Sequence, residues 1–299
     1  MFREKTHEFP FVKTPMSALL KPRSTQISIR RARTDIEIEA AQHLRYKTFF
    51  EEFGATPLNE ECETLRRDID TYDAFADHLI VINTDKRTGG EEIIGTYRLL
   101  RQDQAAQHGH FNSSAWYDLT PLLDSGQSLL ELSRSCVLPE FRTRNTLKTL
   151  WQGIGQYIME NNIEIMFGCA SFHGVDTNAI APALSYLHHN HLSPSSLRCK
   201  AHPGKYESMN LIEKENINIR KTFHDLPPLI KGYLRVGSSI GEGAVIDPQF
   251  STIDTLIIMQ PHMLTDRYKK HYDVTIDNGK PKTSPTTDNA ASILSEEGV

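Results

Sequence analysis

With 299 residues, the chain is long enough to bury a large hydrophobic core, either as one enlarged α/β domain or as two domains. Its net charge of −5 at pH 7 argues against a general nucleic-acid-binding protein. No apolar run reaches the length of a membrane span, and the first residues lack the apolar core of a signal peptide. Four cysteines without a Cys-x-x-Cys pair predict reduced, buried thiols in a cytoplasmic protein.

The first part of the chain predicts a basic arm, then a strand and a helix. Residues 1–26 are basic, aperiodic and interrupted by prolines, which is typical of a flexible or surface-bound arm. Such an arm can bind anionic lipid, although a solvated tail fits the same residues. Residues 27–30 alternate as a strand does. Thr34 and Glu37 then suggest a capping box for a helix that ends just before Gly54.

The next segment predicts irregular polar structure followed by a β-hairpin. The hairpin consists of strands at 79–82 and 93–100, joined by a polar turn that contains glycine. Asp70 and Asp73 lie in the polar segment before the hairpin. Three residues apart on a loop, they can bind a cation or an ammonium group, but solvated surface acids explain them as well.

Residues 129–138 form the central predicted element, an apolar strand that carries charged side chains. Glu131 and Ser133 alternate onto one face, and Arg134 belongs nominally to the other. An unpaired carboxylate or guanidinium would be costly to bury. Two interpretations follow: the charges pair as structural ions, or the strand lines an active site in which Glu131 is the general base.

A basic turn follows the central strand and leads into a helix predicted at 146–160. Arg142 and Arg144 stand in this turn. The free N–H groups and the dipole at a helix start favour an anion, and the two arginines add full charges there. The strand, turn and helix together predict a phosphate-binding site.

The second half of the chain is less regular. Three elements are predicted at 163–170 (strand), 178–189 (helix) and 255–259 (strand). A short strand is expected near 207–212, and the glycine-rich segment 237–243 is interpreted as a turn. Residues 227–234 fit a helix or a strand equally well. Residues 273–299 are polar with little apolar content, which predicts disorder.

Several of these segments carry a resemblance to one family. They are residues 45–52 (RYKTFFEE), 95–99 (GTYRL), 131–138 (ELSRSCVL), 151–154 (WQGI), 166–172 (MFGCASF), 227–234 (PPLIKGYL) and 250–254 (FSTID). The chain resembles the ornithine–acyl carrier protein N-acyltransferases, or L-ornithine N(alpha)-acyltransferases, of bacterial lipid synthesis. That family is GNAT-like and is related to the acyl-homoserine lactone synthases. The resemblance implies an α/β (α+β) fold at 27–272, with a mixed central sheet flanked by helices and a C-terminal extension.

The resemblance also implies a set of charged site residues. The substrate-binding residues would be Arg45, Asp70, Asp73 and Arg98, and the catalytic residues Glu131 and Arg134. Arg45 or Arg98 would clamp the carboxylate of ornithine. Asp70 or Asp73 would hold its side-chain ammonium group. No metal is called for.

The expected acyl-donor site departs from the wider GNAT pattern. The usual glycine-containing turn that approaches the coenzyme A pyrophosphate is here a stretch without glycine, residues 142–147. The departure favours a carrier-protein phosphopantetheine, which arrives with the substrate, so no separate cofactor is expected. The donor would contact Ser135 and Val137 on a bulged central strand and the turn residues Arg142, Arg144 and Asn145.

The implied reaction moves a 3-hydroxyacyl chain from acyl carrier protein to the α-amine of L-ornithine and gives a lyso-ornithine lipid. The expected location is the cytoplasm, with possible peripheral contact to an anionic membrane and no nucleic-acid partner. Three alternatives stay open at this point. They are an acyl-homoserine lactone synthase, an acetyl-coenzyme A-dependent GNAT enzyme, and a non-catalytic haemolysin-like membrane-binding protein.

Overall fold

The computed structural model describes residues 25–86 and 88–261. Most of the predicted basic arm (1–26) and the whole predicted tail (273–299) lie outside the described residues. The strands are β1 (Thr25–Arg31), β2 (Asp77–Asp85), β3 (Glu91–Arg101), β4 (Tyr117–Asp118), β5 (Leu129–Val137), β6 (Ile165–His173), β7 (Lys200–Ala201), β8 (Ser239–Asp247) and β9 (Thr252–Met259). The helices are α1 (Asp35–Tyr46), α2 (Glu60–Leu65), α3 (Gln102–His108), α4 (Thr120–Leu123), α5 (Arg144–Asn161), α6 (Ala181–His191), α7 (Ile219–Asp225) and α8 (Pro228–Arg235).

Within the described residues, the strands form one mixed sheet in the order β1-β2-β3-β5-β6-β9-β8-β7-β4. The pairs β5–β6 and β7–β8 are parallel, and the other pairs are antiparallel. This mixed sheet with flanking helices confirms the predicted fold class. Among the helices that the structure describes, none combines the length and the apolar character that a bilayer span demands.

The first helix begins at the predicted Thr34 cap, but only one half of the predicted capping box forms, because the Glu37 carboxylate accepts the backbone N–H of Arg33. The Thr34 hydroxyl accepts a hydrogen bond from the backbone N–H of Glu37 at 3.3 Å. Helix α1 then continues into a π-helical turn at Lys47–Glu52, which the sequence pattern did not predict. Turns of this kind often occur near functional sites. Here the turn packs Phe50 against Phe250, with ring centroids 6.1 Å apart.

Three expectations for the second half of the chain need correction or completion. Residues 207–212 form no strand, and only Glu207 makes an isolated bridge, to Ala244. The segment 237–243 is not simply a turn, because most of it belongs to strand β8, which pairs with β9. Residues 227–234, left unassigned between helix and strand, are almost entirely helix α8.

Helix α5 covers one face of the sheet with apolar side chains. Leu150 and Ile154 are buried in a cluster with Leu130 of β5. Burial of each such side chain stabilises the fold by about 1.5–3 kcal/mol. Gly153 lies so close to β1 that a Cβ atom at this position would meet Ile29 at 2.5 Å. The apolar face of the sheet is therefore closed by α5, and the polar side chains lie on the opposite face.

Strand β5 carries a bulge in its pairing with β3. Thr96 pairs with Cys136 and Arg98 pairs with Ser133, so β5 has one more residue than β3 between these two pairs. Arg134 sits in the bulge with a φ of 53°. The extra residue changes the alternation of side chains, and this is why Glu131 and Arg134 can both contribute to one face.

Strands β5 and β6 stop pairing shortly before this bulge. Their pairing ends at Glu131 and Phe167, whereas β6 continues to pair with β9 as far as His173. We call the space between residues 133–137 and 169–173 the β5–β6 opening. At its base a Cβ atom on Gly168 would meet the Leu132 carbonyl oxygen at 2.1 Å, so only glycine fits where the two strands part.

Candidate active site

A row of polar side chains crosses the face of the sheet opposite α5. The polar row consists of His78 of β2, Arg98 of β3, Glu131 and Ser133 of β5, Ser171 of β6 and Asp254 of β9. Register partners project to the same face, and the row follows the pairs His78–Arg98, Arg98–Ser133 and Ser171–Asp254. The parallel pairing of β5 with β6 places Glu131 opposite Phe167. Ser133 and Ser171 each follow these partners by an even number of residues, so they project to the same face of the sheet. The row passes directly across the β5–β6 opening.

Three arginines and three aspartates form an ion-pair network beside the opening. The network consists of Arg45, Asp68, Asp70, Asp73, Arg98 and Arg134. Arg45 binds Asp68 at 2.9 Å and Asp73 at 2.7 Å, and Arg98 binds Asp73 at 3.0 Å. The side chains of Arg45 and Arg98 have no exposed surface. Because positive and negative groups are equal in number, the fold can bury all six charges.

Arg134 connects this network to the opening. Its guanidinium binds Asp68 at 3.0 Å and Asp70 at 3.3 Å, and lies over the Phe250 ring at 4.7 Å. Its side chain keeps 16% of its surface exposed, unlike the two other arginines. Arg134 is therefore the most exposed arginine of this network.

Neighbouring charges set the ionisation of the network. Burial opposes ionisation of Asp73, but Arg45 and Arg98 outweigh it and lower the pKa of its carboxyl group. The same balance of burial against Arg98 and Arg134 lowers the pKa of Asp70. Burial lowers the pKa of His78 in spite of nearby Asp73, so this imidazole is neutral at neutral pH.

The expected ammonium-binding role of Asp70 and Asp73 stays a prediction, and the ion pairs around the two acids weigh against it. Both carboxylate oxygens of Asp70 accept hydrogen bonds, one from Arg98 and the other from Arg134. Both oxygens of Asp73 are occupied as well, by Arg98 and Arg45. An additional ammonium group there would compete with arginines that are already in place. We interpret the two acids as the counter-charges that orient the arginines.

Two guanidinium nitrogen atoms of the network have unsatisfied hydrogen-bonding capacity. Among the described residues, Nη1 of Arg45 and Nη2 of Arg98 are buried and have no hydrogen-bond partner. Buried donors without a partner are rare, because desolvation of each one is costly. Such donors fit a ligand that brings an acceptor, and a carboxylate is the group that a guanidinium binds best.

Glu131 lies beneath the loop between α3 and β4. It has no exposed surface, and it accepts hydrogen bonds from the backbone N–H groups of Asn112 at 2.8 Å and Ser113 at 2.6 Å. The Ser113 hydroxyl also donates to it. Burial raises the pKa of Glu131, and the hydrogen bonds from Ser113 moderate the rise. Ser113 Oγ lies 3.8 Å from Cys169 Sγ, at the edge of the β5–β6 opening.

The other end of the opening carries the predicted acyl-donor residues. Because the N–H of Leu138 bonds to Ile94 of β3, the N–H of Val137 points away from β3 and toward the opening. Arg142 is not a free cation, since Glu52 binds its two terminal nitrogens at 2.6 Å each. Its Nε donates to the Val137 carbonyl at 2.9 Å.

Helix α5 begins two residues earlier than the predicted helix. The Thr143 hydroxyl caps it by accepting a hydrogen bond from the N–H of Thr146 at 3.2 Å. Arg144 and Asn145 form its first turn and are exposed. The free N–H groups of this first turn and the Arg144 charge can bind a phosphate.

Two site residues were missed by the reasoning from sequence. Asp68 holds Arg45 and Arg134 together, and Asp254 completes the polar row on β9. The signal for Asp254 was present, because it is a single acid inside an apolar strand and an isolated buried charge is unusual. For Asp68, the local sequence does not distinguish it from the exposed acids nearby.

Comparison with known proteins identifies the class first. A family model described as an acetyltransferase (GNAT) domain matches residues 44–152, the segment from α1 through β5 into α5. The mixed sheet with its bulged, parting central strands agrees with this match. This segment of the chain is therefore similar to a GNAT acetyltransferase domain.

Curated relatives define the family within that class. The L-ornithine N(alpha)-acyltransferase of Rhizobium meliloti (strain 1021) is 44% identical over 87% of this chain and 88% of its own. The enzyme of the same name from Agrobacterium fabrum (strain C58 / ATCC 33970) is 43% identical, over 82% of this chain and 85% of its own. The chain belongs to the L-ornithine N(alpha)-acyltransferase family. A solved N-acyl amino acid synthase from uncultured soil microbes aligns with a TM-score of 0.45 and 11% identity, over 80% of this chain and 93% of its own.

Proposed function

We propose that this enzyme transfers an acyl chain from a carrier-protein thioester to the α-amine of L-ornithine and releases N-acylornithine, a lyso-ornithine lipid. Family membership supports ornithine as the acceptor. The observation that carries the proposal is the polar row at the β5–β6 opening, where unpaired guanidinium donors lie on the same face as the place where the central strands part. An acceptor carboxylate and a thioester can meet there.

Arg98 is the residue we assign to the acceptor carboxylate. It lies on the strand that pairs directly with the bulged part of β5, and its Nη2 atom has no partner. Arg45 lies farther back on α1 and serves mainly to fix Asp68 and Asp73. Arg134, at the mouth of the opening, contacts the acceptor or the reacting carbonyl from the side of the bulge. The six charges are already held in place by their ion pairs, and the buried Nη2 atom of Arg98 must become accessible when the acceptor carboxylate binds.

The acyl donor enters between β5 and β6. The N–H of Val137 stabilises the oxyanion that forms when the amine attacks the thioester carbonyl. The phosphate of phosphopantetheine binds at the first turn of α5, near Arg144 and Asn145. Because the turn at 142–147 lacks the glycines that bring backbone to a pyrophosphate, one phosphate fits better than coenzyme A. An acidic carrier protein then docks on the exposed basic surface around Arg144.

Glu131 is the proposed general base. The amine of ornithine is mostly protonated at neutral pH, so a proton must leave before attack. Since Glu131 is fully enclosed, it accepts that proton through the Ser113 hydroxyl or through a water molecule at Cys169. When the tetrahedral intermediate collapses, the thiolate leaving group takes up that proton, and the second proton lost by the attacking nitrogen goes to solvent.

The test is an assay with the purified full-length chain, acyl-carrier-protein thioesters and a panel of amino acids. Released thiol is measured, and the product is identified by mass spectrometry. Ornithine-dependent release with an N-acylornithine product supports the proposal. Faster turnover with acyl-coenzyme A would contradict the carrier-protein donor, and turnover with S-adenosylmethionine in place of ornithine would favour a lactone synthase.

Peripheral membrane contact is a separate part of the proposal. The basic residues within 1–26 would bind anionic lipid by charge attraction. Sedimentation with anionic and neutral liposomes tests this in the full chain and in a variant that lacks residues 1–24, before β1. Equal binding by both proteins would reject the role of the arm.

A further inference from the structure

Asp254 is a buried acid that the proposed reaction does not yet use. It is the third residue of β9, between Ile253 and Thr255, and is 7% exposed. Its register partner on β6 is Ser171, which is exposed. Because paired residues project to the same face, the Asp254 carboxyl group stands beside the part of β6 that borders the β5–β6 opening.

The carboxyl group of Asp254 has unused capacity to accept hydrogen bonds. Its Oδ1 atom is buried and has no hydrogen-bond partner among the described residues. The neighbouring buried acid Asp247 differs, because its Oδ1 accepts the N–H groups of Gln249 at 2.8 Å and Phe250 at 3.1 Å. Asp247 holds the turn between β8 and β9. Among the described residues, no backbone N–H group is bound by the Asp254 carboxyl group in this way, and the side-chain hydroxyls that favour its charged form are those of Ser171 and Thr252.

The surroundings of Asp254 lack a close counter-charge. Burial is the main cause that raises the pKa of its carboxyl group to about 6. The Ser171 and Thr252 hydroxyls and Arg134 limit this rise in pKa, and Asp247 adds to it. Arg134 is already paired with Asp68 and Asp70. A cation that reached Asp254 through the opening would therefore gain a partner that no side chain of the described structure supplies.

The polar row has the order that an acceptor with two charged ends requires. Arg98 stands on the β3 side of the opening, and Asp254 stands on the far side of β6. An amino acid held by its carboxylate at Arg98 presents its α-amine at the opening. Its side chain then runs over β6 toward β9, and its three methylene groups extend it by about one strand spacing of 4.8 Å.

We propose that Asp254 binds the side-chain ammonium group of the acceptor and so determines the preference for ornithine. This inference rests on the proposed function, because it places the same acceptor in the same opening. It replaces Asp70 and Asp73, whose oxygens are occupied by arginines, as the partners of that ammonium group. The Asp254 carboxylate also leaves the α-amine free to react, which explains acylation at one of two amines.

The experiment compares L-ornithine with L-norvaline, which has the same carbon skeleton without the terminal amine. We expect Asp254→Asn to lower kcat/KM for ornithine by roughly 10- to 100-fold, the effect of losing a charged hydrogen-bond partner. The kcat/KM for norvaline should stay nearly constant, so the ratio between the two substrates collapses. The matched control is Asp247→Asn, which should keep the ratio of the wild-type enzyme.

The outcomes separate this inference from the proposed function. An equal loss for both substrates in Asp254→Asn, or an unchanged ratio, would overturn the role of Asp254 and leave ornithine acylation standing. If the wild-type enzyme released thiol with no amino acid, the proposed function would fail. Titration calorimetry with ornithine alone would then decide the matter for Asp254, because equal affinities of wild type and Asp254→Asn would reject it.

Discussion

Arg98 and Ser133 are register partners on β3 and β5, and the Arg98 Nε atom donates a hydrogen bond to Ser133 Oγ at 3.0 Å. This contact lies immediately before the bulge at Arg134. It ties the buried ion-pair network to the strand that borders the β5–β6 opening. A change in the network should therefore alter the part of β5 that borders the opening.

Removal of Arg98 should destabilise the fold as well as abolish activity. Arg98→Ala leaves Asp70 and Asp73 without one of their cations, and an uncompensated buried charge costs about 3–5 kcal/mol. Urea denaturation measures the free energy of unfolding. The control is Arg30→Ala, which breaks a partly exposed pair with Glu37 and should cost at most about 1 kcal/mol. Equal losses in the two variants would contradict the structural role of the network.

Glu131→Gln should lower turnover by roughly 10²- to 10⁴-fold. The glutamine keeps the size of the side chain but cannot take up the proton. Single-turnover thiol release measures the chemical step, and circular dichroism reports the fold. Ser113→Ala is the companion variant, because it removes the hydroxyl that leads to Glu131. If both variants unfold more easily but react at the wild-type rate when folded, Glu131 only positions the loop.

Gly168→Ala should be strongly destabilising. The added Cβ would lie 2.1 Å from the Leu132 carbonyl oxygen, so the backbone of β5 or β6 must move. We expect a loss of about 3 kcal/mol in the free energy of unfolding, the upper end of the usual cost of overpacking. Gly232→Ala in α8 is the control, since its Cβ meets no atom within 4 Å and alanine favours a helix. A wild-type midpoint for Gly168→Ala would show that the strands part differently.

Asp254 predicts a pH dependence of stability. Its pKa is raised to about 6 from the ordinary 3.8, so the folded protein holds this proton more tightly than the unfolded chain. The resulting stabilisation is complete below about pH 4 and is lost as the pH rises through about 6, with a total of about 3 kcal/mol. The free-energy difference between wild type and Asp254→Asn, measured by denaturation across this range, should follow that curve. A constant difference would contradict the raised pKa.

Charge reversal at Arg144 tests the donor surface. Arg144 is exposed at the start of α5, so Arg144→Glu should leave the fold intact. We expect KM for the acyl-carrier-protein thioester to rise by roughly tenfold, equivalent to about 1.4 kcal/mol, with little change in kcat. The effect should shrink in high salt. The control is Arg235→Glu at the end of α8, and a similar KM effect there would indicate general charge attraction only.

Local patterns predicted most of the elements near the site. The Thr34 cap of α1, the β2–β3 hairpin and the strand–turn–helix unit of β5 and α5 all depend on near neighbours in the chain, and all are present. The exceptions have identifiable causes. The segment 237–243 pairs with β9 although its glycines favour a turn, because the strand ladder supplies hydrogen bonds that a turn does not.

The amino-acid sequence by itself predicted a central strand in which charged residues stand among apolar ones, followed by a basic turn at the start of a helix. The motifs shared with the family identified the charged residues of the site as candidates. Only the tertiary structure decided which of those charges meet. Asp70 and Asp73 are occupied by arginines from three separate elements, whereas Asp254 keeps an oxygen without a partner. The physical reason is that burial and ion pairing depend on strand order and register, which join residues up to 66 positions apart in this network. Patterns among near neighbours in the chain do not show which distant residues become partners in the folded structure.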